Sequence, residues 1–120
     1  MREKSTVYVI DDDQTVCDLL QAWMDLEKIP VQTYLSAREF LANYDLSKLD
    51  CLILDVEMPN MSGLELQEYF NRQKITIPII IMTGYADVSM AVEAMKAGAL
   101  DFFEKPLIKR FVNKTGKGMY

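Results

Sequence analysis

The chain has 120 residues, half of them hydrophobic and 26% charged, with a formal net charge of −5. That balance suits one globular domain with a real core, excludes a disordered chain, and argues against a surface that grips nucleic acid over its whole extent. The absence of histidine removes Ser-His-Asp and Cys-His nucleophile systems, imidazole bases and histidine-bound metals, leaving carboxylates, hydroxyls, lysines and an oxygen-loving metal.

The polar opening "MREKST" leads straight into a strand pattern, so no signal peptide is expected. No apolar run approaches the length of a bilayer span, and a cytoplasmic protein with no membrane partner is the expectation. "TVYVID" reads as a strand ending at Asp11. Asp13 is the N-cap of a helix running to about Lys28, with Val16, Leu19, Leu20 and Trp23 on one side. Pro30 breaks that helix and "VQTYL" is the second strand. "SARE", Ser36 to Glu39, is a capping box opening a helix whose apolar positions are Phe40, Leu41 and Tyr44. "CLILD" is the third strand, apolar without alternation and so buried on both faces.

"SGLE", Ser62 to Glu65, is a second capping box, and its helix carries Leu66, Tyr69 and Phe70. "IPIIIMTG" is the fourth strand, again apolar throughout. Val88, Ala91, Val92 and Met95 fall at i, i+3, i+4 and i+7, a helical stripe ended by Gly98. "LDFFEK" is a short fifth strand before Pro106. Cys17 and Cys51 lie far apart within apolar patterns and form no CxxC pair, which predicts two buried free thiols. No repeat, linker or low-complexity tract divides the chain, so residues 1–120 form one domain.

Strands alternating with helices, the strands nearly continuous in apolar residues, predict an α/β fold around a parallel sheet. In such sheets ligands bind beyond the carboxyl ends of the strands, near the point where strand order reverses. Four of the five strands end on or beside a polar group: Asp11 with Asp12, Asp55, Thr83 and Lys105. Singly, each has a plain structural use: a solvated turn, a satisfied strand end, an exposed lysine. Together they put three acids, a hydroxyl and an ammonium on one rim. Three carboxylates so placed call for a hard divalent cation, and Mg²⁺ is commonly held by one or two carboxylates while it keeps waters. A carboxylate can also attack phosphorus to give an acyl phosphate, with an ammonium and a hydroxyl steadying the transferring oxygens.

"VYVIDDD", "LILDVEMPNMSGLEL" and "IIIMTGYADVSMAVEAMKAGALDFFEKP" together resemble the receiver domain of two-component response regulators over residues 6–106. The resemblance implies a flavodoxin-like (βα)₅ fold, a three-layer sandwich with strand order 2-1-3-4-5. It implies Asp55 as phosphoacceptor, served by the phosphohistidine of a sensor histidine kinase, with Lys105 and Thr83 assisting. Asp11, Asp12 and Asp55 would hold Mg²⁺, or Mn²⁺ in its place, with the backbone carbonyl of Glu57 as a further ligand. Thr83 and Phe102 would be the switch pair, although Phe102 also reads as an ordinary core aromatic. Glu57 and Tyr85 would tune the lifetime of the acyl phosphate, and a cis bond is expected before Pro106. The chain promotes its own phosphotransfer and dephosphorylation in this reading, as a signalling phosphoacceptor rather than an enzyme.

"TGYADVSMAVEAMKAGALDFFEKP" looks most like receivers joined to LuxR-type helix-turn-helix regulators. That implies transcriptional control through an output domain outside these residues, no direct nucleic-acid contact from this domain, and a homodimer through the fourth helix, fifth strand and fifth helix. The tail departs from the pattern. "LIKRFVNKTGKGMY", residues 107–120, is basic and broken by two glycines, which predicts a short, irregular or non-native fifth helix. Two other classes stay open: a degenerate receiver acting as a phosphorylation-independent binding module, and an aspartyl-phosphate phosphohydrolase. Mg²⁺ binding separates the first from a working receiver, and multiple turnover on a phosphomonoester would mark the second.

Overall fold

The computed structural model describes residues 6–58, 60–84 and 88–105. In chain order they form β1 (Thr6–Ile10), α1 (Gln14–Leu26), β2 (Val31–Tyr34), α2 (Ala37–Asn43), β3 (Leu49–Asp55), α3 (Gly63–Arg72), β4 (Ile79–Thr83), α4 (Val88–Lys96) and β5 (Asp101–Glu104). The strands make one five-stranded sheet of order β2-β1-β3-β4-β5, every neighbouring pair parallel. This is the flavodoxin-like arrangement the sequence predicts. Strand order reverses between β1 and β3, which locates the binding crevice at their carboxyl ends.

The apolar strands serve two cores because successive side chains point to opposite faces. Tyr8, Ile10, Leu52, Leu54, Ile79 and Ile81 pack with Phe40 of α2, with Leu66 and Phe70 of α3, and with Ala94 of α4. Val7, Val9, Ile53 and Met82 pack on the other face against Cys17 and Leu20 of α1. Phe40 stacks on Tyr44 at 4.8 Å and meets Tyr8, Tyr34 and Phe70 edge-on at 5.7–6.1 Å. The resulting aromatic block fills the space under β1, α2 and α3.

Local chemistry explains the boundaries. Asp13 caps α1 by accepting from the Thr15 N–H. That helix ends at Leu26, two residues short of the prediction, because Lys28 turns the chain at φ 58° and the Ile29 N–H reaches back to the Met24 carbonyl. The same six-residue closure ends α3 at Lys74 (φ 59°) and α4 at Gly98 (φ 106°). Ser62 and Glu65 form the full reciprocal box expected of α3. At α2 only half of the expected box is present. Ser36 accepts from the Glu39 N–H, but the Glu39 carboxylate takes the N–H of Leu35, one residue before the cap.

Two further expectations need correction. β3 begins at Leu49 rather than Cys51, because a bulge at Asp50 hides its first residues from the apolar run. Cys17 is buried, but Cys51 is only half-buried on this early part of β3. The helix read from the Val88–Met95 spacing is present as α4. The stripe of Val88, Ala91, Val92 and Met95 does not face the core, since Val88, Val92 and Met95 are exposed, and Ala94 is the buried residue. Met90, half-buried, packs on the same core beside Ala94. Pro106 and the tail 107–120 lie outside the described residues, as does Tyr85.

Candidate functional site

Four elements deliver the predicted polar groups to one rim. Asp11 follows β1, Asp55 is the last residue of β3, Thr83 the last of β4, and Lys105 follows β5. Asp11, Asp55 and Thr83 are all buried, while Asp12 is exposed at the mouth. One carboxylate oxygen from each of Asp11, Asp12 and Asp55 falls within 4.8 Å of the others. The Lys105 ammonium lies 2.8 Å from Asp11 Oδ2 and 3.3 Å from Asp55 Oδ1. The sequence therefore placed these residues together correctly.

Asp11 is held on every side. Its amide donates to the Tyr34 carbonyl at 3.1 Å, its Oδ1 accepts from the Asp13 N–H at 2.9 Å, and its carbonyl accepts from the Cys17 thiol at 3.4 Å. Its other oxygen, Oδ2, is buried and has no well-aligned hydrogen bond among the described residues. Its neighbour is the Lys105 ammonium at 2.8 Å. Asp55 is fixed by the sheet: it sits opposite Met82 on β4, and the next amide, that of Val56, donates to the Met82 carbonyl at 2.8 Å. The Glu57 backbone favours the ionised form of the Asp55 carboxylate. Lys105 is tied by its own amide to the Thr83 carbonyl at 2.7 Å.

The electrostatics follow from burial and like charge. Burial, helped by the Asp11 carboxylate, pushes Asp55 up to about 6 although Lys105 pulls the other way. Burial also raises Asp11 against the opposing pull of Lys105. The Lys105 ammonium is disfavoured by its own burial, yet its contacts with Asp11 and Asp55 outweigh that and raise it. One ammonium does not balance three carboxylates. Hard oxygen donors at this spacing fit a small divalent cation such as Mg²⁺.

Phe102 lies on β5 opposite Ile81, half-buried against the core that includes α4. Glu57 is exposed, and its carboxylate is 4.0 Å from where a side chain on Gly84 would begin. Two contributors escaped the sequence reading. Gly63 starts α3 against the carbonyl of Asp55, and Gln67 is buried between α3 and α4. The signal for Gln67 was its spacing: Gly63, Leu66, Gln67 and Phe70 share one helical face, so an amide stands in the middle of the buried stripe.

A sheet of this order, with acids and a lysine gathered at its carboxyl rim, defines a flavodoxin-like receiver fold. The profile of the response regulator receiver domain matches residues 7–114, and the chain belongs to that family. It is 44% identical over 102 residues to the response regulator protein TodT of Pseudomonas putida, covering 85% of this chain and 45% of that protein. It is 42% identical over 106 residues to the transcriptional regulatory protein FixJ of Bradyrhizobium diazoefficiens, covering 88% and 52%. The crystal structure of FixJ-N superposes with a TM-score of 0.75 at 37% identity, covering 98% of both chains. The chain spans about half the length of the curated relatives it matches. No helix among the described residues is long and apolar enough to cross a membrane.

Proposed function

We propose that this domain accepts a phosphoryl group on Asp55 from the phosphohistidine of a sensor kinase. The observation that carries the reading is the gathering of Asp11, Asp12, Asp55 and Lys105 at one buried rim. An Asp55 oxygen attacks phosphorus, a P–O bond forms as the donor P–N bond breaks, and the electron pair leaves with the imidazole. Asp55 must be ionised to attack, which its value of about 6 permits at neutral pH. Asp11, Asp12, Asp55 and the Glu57 carbonyl would hold Mg²⁺, or Mn²⁺ in its place. The cation would supply positive charge to the transferring oxygens. Lys105 balances charge on the same oxygens, and the Thr83 hydroxyl donates to them. Glu57 and Tyr85 tune the lifetime of the product.

The phosphoryl group draws Thr83 inward, Phe102 follows, and the surface of α4 and β5 changes. That surface carries the outward stripe of Val88, Val92 and Met95, together with exposed Leu100 at the entry to β5. In this reading it contacts a second copy or an output domain outside this chain, and the response is transcriptional, as the relatives' names suggest. The domain works in the cytoplasm and does not itself touch DNA.

The test is to incubate the chain with acetyl phosphate and Mg²⁺ and weigh it intact. One added phosphoryl group is expected, lost without Mg²⁺ and lost in Asp55→Asn. An adduct that survives Asp55→Asn would move the acceptor elsewhere. Mg²⁺ binding with no adduct would point to a very short-lived acyl phosphate or a site spoiled by the unusual tail, and neither adduct nor Mg²⁺ binding would favour a module that works by contact alone.

A further inference from the structure

The connection between β3 and α3 leaves the sheet and returns to it at touching residues. The Gly63 amide donates to the Val56 carbonyl at 3.1 Å, closing a loop over 56–63. Inside it, Met58 is buried, Asn60 turns the chain at φ 72°, and Ser62 and Glu65 cap the helix that follows. The same loop carries Glu57, two residues past Asp55, whose backbone favours the ionised Asp55 carboxylate.

At the closure α3 lies against the end of β3. A Cβ on Gly63 would stand 2.4 Å from the Asp55 carbonyl oxygen and 3.0 Å from the Val56 Cα. Both are backbone atoms, so no side chain can swing aside to make room. Gly63 has no left-handed φ, and lack of space, rather than backbone conformation, is what excludes a side chain. The sheet end is braced by the Val56–Met82 bond and by the Asp55–Met82 pairing, so strain introduced here falls on the loop and the first turn of α3.

We infer that Gly63 is a positioning residue for the metal pocket: its missing side chain lets the 56–63 loop close on Asp55 and thereby sets where the Glu57 backbone stands relative to the three carboxylates. The inference rests on the Mg²⁺ reading above. Removing groups that orient ligands typically weakens metal affinity roughly 10- to 100-fold. Gly63→Ala should therefore bind Mg²⁺ about tenfold more weakly or worse. Its phosphorylation rate should recover toward wild type at saturating Mg²⁺, because β4 still holds Asp55.

The experiment is a Mg²⁺ titration followed by amide NMR in wild type, Gly63→Ala and Gly98→Ala, with hydrogen exchange of the Glu57 amide read in the same samples. Gly98→Ala supplies a comparison remote from the pocket, since its φ of 106° makes it destabilising for an unrelated reason. Weakened Mg²⁺ binding and faster Glu57 exchange in Gly63→Ala alone support the inference. Equal affinities in wild type and Gly63→Ala overturn it, as does equal weakening in Gly98→Ala. If Gly63→Ala does not fold, Asn60→Ala strains the same loop from its exposed tip, and an unchanged Mg²⁺ affinity there overturns it. A wild type that takes no Mg²⁺ overturns the metal reading and this inference with it.

Discussion

α3 and α4 cover adjoining parts of one face of the sheet, yet they are held by different forces. α3 buries Leu66, Gln67 and Phe70, starts with a reciprocal cap and presses its first residue against β3. α4 buries Ala94 and turns Val88, Val92 and Met95 outward. What ties α4 to α3 is a pair of side-chain amides: Gln67 Nε2 donates to the Ala94 carbonyl and Asn71 Nδ2 to the Ala97 carbonyl, both at 3.0 Å. Large buried side chains anchor one helix along its length, while the other adds two directional bonds at its C-terminal turn to the core contacts of Met90 and Ala94. The acids stand on strands β1 and β3, under the anchored half. The exposed aliphatic surface belongs to the half that is held more lightly, which is where a change of surface costs least.

The widest separation should come from truncating a large side chain on each helix. Phe70→Ala removes a ring that touches Phe40, Tyr44 and Tyr69 and should cost about 3–5 kcal/mol. Val92→Ala, on the outward stripe, should stay within about 0.5 kcal/mol. Urea unfolding of the two variants measures both. A comparable loss in Val92→Ala would show that the stripe is packed in solution and would erase the contrast.

The next effect tests the anchored half through its charge. Asp55 titrates near 6 in the fold against an ordinary value of 3.8, so the fold binds its proton more tightly than the unfolded chain does. The stability contributed by that protonated carboxyl is fully present below about pH 4 and is lost as pH rises through about 6. The metal-free protein should therefore lose on the order of 2 kcal/mol from this group between those limits. Asp55→Asn should lack that loss and be the more stable protein at neutral pH. Urea unfolding of both chains at pH 4.5 and 7.5, without divalent ions, decides the matter, since the carboxylates outside the pocket cancel in the comparison. Parallel pH dependence in the two would mean that the Asp55 environment is wetter than its burial implies.

The anchored half was the legible half. Asp13, Ser62 and Glu65 are caps that act within one turn, and the strands announce themselves by unbroken apolar runs, so short-range rules recover them. Asp11, Asp55, Thr83 and Lys105 could be placed together because a parallel sheet puts all its carboxyl ends on one rim. Other features depend on contacts between distant segments. The Val88–Met95 stripe has a helical period, but a period gives a face and not the direction it points. Here Met90 and Ala94 are the residues that pack on the core. Gly63 reads in sequence as a residue after a cap. Only the placement of α3 beside the Asp55 carbonyl shows why a methyl group there is excluded.

The smallest effect concerns the tie between the two helices. Gln67 is buried, and its Oε1 has no hydrogen-bond partner among the described residues. Gln67→Met would remove one donor to the Ala94 carbonyl, but that carbonyl also accepts from the Ala99 N–H at 3.1 Å. It would remove the unpaired Oε1 as well, and a buried acceptor left without a partner costs about 1–3 kcal/mol. The two terms oppose, so the global stability of Gln67→Met should shift by about 1 kcal/mol or less. Asn71→Ala removes a bond on an exposed side chain and should cost about 0.5–1.5 kcal/mol at most. The consequence should instead be local. Hydrogen exchange in the double variant should rise in the last turn of α4, by about tenfold for each 1.4 kcal/mol of lost local protection, while the α3 amides keep wild-type rates. If the amides of both helices speed up together, then α4 is seated by more than this pair of bonds, and the distinction between a packed helix and a tied one does not hold.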